Sequence, residues 1–135
     1  MEQKLSEKIS IFLTLMGQVQ KDYAWSGEQV HRMEQLTQDY LHMLELSENS
    51  YHEKARIAGA ISECRAERRR HKDDRAVLEP LIAFLESDKG KVMITQLQQV
   101  LGAVRKAERA GQERNYIHRV LTQDQYDSKQ VSHCD

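Results

Sequence analysis

The chain has 135 residues, with 20 Lys or Arg against 21 Asp or Glu and a formal net charge of −1. One proline, six glycines and few aromatics favour an all-α domain, long enough to bury a real core. Near-cancelled charge argues against a general, sequence-independent coat for DNA, which needs a broadly basic surface, but permits a local basic patch or a small anionic ligand.

A first helix is predicted over residues 2–21, where Leu5, Ile9, Phe12, Met16, Val19 and Tyr23 step by four and three along one stripe. Ile11, Leu13 and Leu15 widen that stripe beyond a single seam, so contact with more than one neighbour, and hence a homo-oligomer, is expected. Residues 22–27, DYAWSG, read as a break, with Ser26 and Gln29 spaced as a capping box that opens a second helix over residues 28–46. Tyr23 and Trp25 in such a connector would either plug the end of the helical core or stack on a base. Val30, Met33, Thr37, Tyr40 and Leu44 form the seam of the second helix.

Ser50 and Glu53 make a second capping box, opening a long third helix over residues 51–85. Pro80 lies inside it, where the missing N–H and the ring should bend or break the backbone. A fourth helix follows over residues 91–114. The expected architecture is therefore all-α, four helices arranged as two antiparallel hairpins. One domain covers residues 1–120 and a weakly patterned tail residues 121–135.

The longest apolar run, residues 9–16, is too short to cross a bilayer, and it lacks the basic start and cleavage site of a signal peptide. Cys64, in the predicted core, and Cys134, near the end, have environments too different for a structural disulfide. A soluble protein of a reducing cytosol is expected.

The most informative stretch is CRAERRRHKDDR, residues 64–75. From Ile57, steps of four and three reach Ile61, Cys64, Arg68, His71, Arg75, Leu78, Ile82 and Leu85. The ends of that stripe are apolar and its middle is cationic. Burying unpaired charge costs several kcal/mol, so Arg68, His71 and Arg75 require an anionic partner or water. A turn at Asp88, Lys89 and Gly90 would fold the fourth helix back so that Leu85 faces Met93 and Ile82 faces Leu97. In that register Arg75 faces Val104, His71 faces Ala107 or Glu108, and Arg68 faces Ala110 or Gly111. Two arrangements compete: internal pairing of the arginines with Glu67, Asp74, Glu108 or acids of the first two helices, or an anion site made of forked donors. Arg65, Lys72 and Arg114 would rim such a site, with Tyr116, His118 and Arg119 nearby.

No catalytic signature accompanies it. Glu28 and His31 match half of a di-iron helix pair, but the only other such pair, Asp39 with His42, sits on the same helix. His133 and Cys134 make no better metal site. There is no phosphate loop and no nucleophile elbow. The run at residues 68–72, RRRHK, is spread around a helix and followed at once by Asp73 and Asp74, so a nucleic-acid interface is not favoured.

The segments TQDYLHMLEL (from Thr37), ERRRHKDD (from Glu67), LEPL (from Leu78) and LGAVRKAE followed by YIHRVL (from Leu101 and Tyr116) resemble small helical proteins encoded by phages and prophages of Gram-positive bacteria. That resemblance implies an accessory role in the bacterial host cytosol, such as blocking host defence. The expectation is a non-catalytic counter-defence protein without a cofactor or metal, which captures a phosphate-bearing nucleotide. Arg68, His71 and Arg75 would hold the anion, and Tyr116 and His118, or Tyr23 and Trp25, would cover the base. The alternatives are a helical module that inhibits a host defence protein, and a nucleic-acid-binding accessory protein.

Overall fold

The computed structural model describes residues 2–114. These form three helices: α1 (Leu5–Leu46), α2 (Tyr51–Glu86) and α3 (Asp88–Glu113). All-α is therefore correct, and four helices in two hairpins is not. The difference lies at residues 22–27, where α1 runs on without a break for 42 residues, a rod of about 63 Å at 1.5 Å per residue. Ser26 and Gln29 have the spacing of a capping box, but Ser26 is buried in the middle of the helix instead of capping one. Packing along a continuous seam outweighs a local start signal worth only about 1 kcal/mol.

The second capping box forms as expected. The Glu53 backbone N–H donates to Ser50 Oγ at 3.2 Å, and the Ser50 N–H donates to Glu53 Oε2 at 3.3 Å. Asn49 closes the other side of the turn, its Nδ2 donating to the Met43 carbonyl at 2.9 Å and the Ser47 carbonyl at 3.0 Å. Orphan groups at both helix ends are thus satisfied within a four-residue connection, which brings α2 back along α1.

That hairpin is the one helix pairing among the described residues. Glu34 meets Arg68, Trp25 meets His71 and Tyr23 meets Arg75, so numbering falls along α1 as it rises along α2. The core is a line of residues: Met16, Val19 and Met33 on α1, and Ile57, Cys64, Ile82 and Leu85 on α2. The apolar ends of the stripe read on α2 thus pack against α1. The fold-back of a fourth helix onto α2, with Leu85 against Met93 and Ile82 against Leu97, does not form.

The junction after α2 explains why. Its only residue is Ser87, whose N–H donates to the Ala83 and Phe84 carbonyls at 3.2 and 3.1 Å. Ser87 also opens α3, accepting at Oγ from the Gly90 N–H at 3.1 Å and at its carbonyl from the Lys91 N–H at 3.0 Å. Asp88, Lys89 and Gly90 are thus the first turn of α3, and no loop remains to reverse the chain. Gly90 sits so close to Phe84 that a Cβ there would run into the Phe84 carbonyl. The described chain divides into two compact units between Leu101 and Gly102, so α3 contributes to both.

Nor does Pro80 break α2. It is exposed, so the carbonyl that loses its helical donor is free to bond water. Pro80→Ala should therefore raise the stability of the hairpin, by about 1–3 kcal/mol in urea unfolding. A loss of stability would mean that the packing requires the proline.

Candidate functional site

The cationic middle of α2 faces α1 at residues 23–34, the stretch that includes the expected break. Arg75 sits deepest. Its Nη1 donates to the backbone carbonyl of Tyr23 at 3.0 Å, and its guanidinium lies over the Tyr23 ring, 3.8 Å from the centroid. Gly27, one helical turn on, makes room: a Cβ there would collide with Arg75 Nη1. The absent side chain at Gly27 leaves the Tyr23 carbonyl open to a second donor from α2.

One turn earlier on α2, His71 packs edge-on against Trp25, ring centroids 5.2 Å apart and planes at 84°. Its Nδ1 is buried and has no hydrogen-bond partner among the described residues. Arg68 Nε then donates to Glu34 Oε1 at 2.9 Å. Both side chains are more than a third exposed, so this ion pair contributes at most about 1 kcal/mol. Arg70 lies 3.7 Å from Glu67 on its own helix.

The fates of the expected site residues follow from this geometry. Arg68, His71 and Arg75 come together along the seam, each with a contact on α1. Tyr23 and Trp25 join them from inside α1, the Tyr23 ring already covered by a guanidinium and half of Trp25 still exposed. Arg65 and Lys72 are exposed on α2. Arg114, the residue after the end of α3, is exposed. Tyr116, His118 and Arg119 lie outside the described residues.

Beside the seam runs an open groove of about 770 Å³, lined by Tyr23, Gly27, Glu28, His31, Glu34, Lys72 and Arg75 among others. Two carboxylates oppose two cations there, so the groove is not a one-sided anion cradle. Glu28 and His31, expected only as half of a metal pair, line it together with Glu34 at a spacing of three residues. Among the described residues, no group of three or more His, Cys, Asp or Glu is placed to hold a metal ion. Cys64 is a free, buried thiol.

A second pocket, about 380 Å³, lies at the tip of the hairpin between Tyr40, Met43, Arg56, Ile57 and Ala60. Leu46 and Tyr51 stand beside the turn with 82% and 83% of their surface exposed, the highest values among the exposed large apolar side chains of the two helices. Sequence periodicity missed this pocket because it counts residues along a seam and not where the seam frays. No described helix is long and apolar enough to cross a membrane. No protein-family model, curated protein or solved structure matches the chain.

The energetics of the seam are testable by urea unfolding. Arg75→Ala should cost about 2–3 kcal/mol, combining a charged hydrogen bond with a cation–π contact, and Arg75→Lys should recover little because the fork is lost. Arg68→Ala should cost less than about 1 kcal/mol, and less still in high salt. Gly27→Ala should destabilise although alanine is the better helix former, since it displaces Arg75.

Proposed function

We propose that the protein is a non-catalytic helical interaction module, a two-helix hairpin whose tip receives an apolar side chain of a partner protein. The observation that carries this reading is the division of labour along the hairpin. Its cationic positions are engaged internally, by Glu34, Trp25 and Tyr23, while the tip carries a largely apolar pocket that includes Ile57 and Ala60, and Leu46 and Tyr51 stand exposed where the two helices enter the turn. Arg56 and Glu53 on the pocket wall would fix orientation by polar contacts. The resemblance to phage-encoded proteins adds a context, inhibition of a host defence protein in the bacterial cytosol. The free Cys64 thiol accords with a reducing compartment. Homo-oligomer formation belongs to the same proposal, since α1 carries more apolar surface than α2 covers.

Sequestration of a nucleotide is the second reading. It is favoured by one feature, the groove where Lys72 and Arg75 stand beside the Tyr23 ring. Arg75 would then have to exchange its contact with Tyr23 for a phosphate oxygen, and Glu28 and Glu34 would oppose the ligand.

One pair of measurements separates the two. The interaction reading predicts that a protein co-purifying with the wild type from the host is lost in Leu46→Asp and Tyr51→Asp, both still helical, and kept in Arg68→Ala. It also predicts that cyclic and linear nucleotides raise the melting temperature no more than inorganic phosphate does. A nucleotide-specific rise that disappears in Lys72→Ala would overturn it in favour of sequestration.

A further inference from the structure

The two flanks of α2 beside the seam carry opposite charge. On one flank Arg65, Arg69 and Lys72 follow at steps of four and three, a line about 10 Å long at 1.5 Å per residue. Lys54 lies on the same line about three turns earlier, and Ala58 and Ala76 continue it in either direction. All six residues are exposed. The line meets no acidic residue before Glu79; Glu63, Glu67 and Asp74 belong to the opposite flank, and Asp73 to the outer face. The consecutive run at residues 68–72 is spread around the helix, but this line gathers cations on one side. Among the described residues the ion pairs of α2 engage Arg68 and Arg70, and leave Arg65, Arg69 and Lys72 without one.

We infer that this line binds the phosphate backbone of duplex nucleic acid without reading its sequence. Three observations select that occupant. Between Tyr51 and Val77 no large apolar side chain of α2 is exposed, so the line lacks the anchors on which a folded protein partner would rest. Two guanidinium forks and an ammonium in file suit the repeated oxygens of a phosphodiester chain. A single strand would need aromatic faces for its bases, and this flank offers none. The Tyr23 ring is covered by Arg75, and Trp25 does not line the groove that Lys72 borders.

The surroundings set the strength of the contact. Glu28 lines the same groove from α1 and opposes an anion at Lys72, whereas Glu34 is already held by Arg68. With a net charge of −1, the chain binds through one local line and not as a coat. The line runs along the shaft of the hairpin, so this inference goes beyond the proposed function and does not depend on the tip pocket.

The test is fluorescence anisotropy of a labelled random-sequence DNA duplex titrated with the full chain, with circular dichroism to confirm helicity. With three phosphate contacts, wild-type affinity should fall about fortyfold between about 50 and 200 mM salt. Arg65→Ala, Arg69→Ala and Lys72→Ala should each weaken binding on the order of tenfold at the lower salt and reduce the salt slope by about one. Arg70→Ala removes the same charge from the opposite flank and should leave the slope unchanged. Glu28→Gln should tighten binding. No binding at the lower salt, or a loss in Arg70→Ala equal to that in Arg69→Ala, would overturn the assignment. Displacement of the duplex by polyglutamate at equal charge would overturn it in favour of an acidic protein segment. Tighter binding of a single strand than of the duplex would overturn the choice of duplex.

Discussion

Arg75 laid across α1 is the contact on which the middle of this structure depends. A guanidinium at that position must enter a two-helix seam, where a bare charge is costly. The cost is met by a backbone carbonyl, the face of Tyr23 and the space left by Gly27. None of these involves a carboxylate. The arrangement requires α1 to be helical through residues 22–27, since Tyr23 and Gly27 face the same guanidinium only one helical turn apart. His71 against Trp25 and Arg68 against Glu34 then follow in register at successive turns of α2.

The same constraint explains which parts of the chain were legible in the sequence. The stripe on α2 was visible, and so was its cationic middle, because the spacing of Ile57, Cys64, Ile82 and Leu85 needs only helical periodicity. The capping box at Ser50 was visible because both of its partners are local. The helix facing that stripe was not. DYAWSG has the composition of a connector, and Ser26 with Gln29 has the spacing of a cap, but long-range packing decided the matter. Likewise Asp88, Lys89 and Gly90 look like a turn, whereas one residue, Ser87, serves as the cap of both helices. Each error came from treating a local signal as decisive where the opposing helix was unknown.

Those corrections reshape the candidate site. With the fourth helix facing the cations, small residues would have left a hole lined by donors. With α1 facing them, aromatic rings and a glutamate fill the space. What remains open is a mixed-charge groove beside the seam, a largely apolar pocket at the tip, and exposed apolar side chains near the start of α1. The contacts of Arg68, His71 and Arg75 with α1 fix the register of the two helices between the ends of the hairpin. Buried polar contacts often serve this way, costing stability relative to an apolar seam while specifying one alignment.

Hydrogen exchange at the backbone amides of residues 22–27 tests the central claim most directly. If α1 is one helix pinned there by Arg75, these amides exchange as slowly as those of the turns on either side, and they quicken together in Arg75→Ala. Fast exchange confined to residues 22–27 in the wild-type protein would show two helices with a loop between them, and would contradict the account.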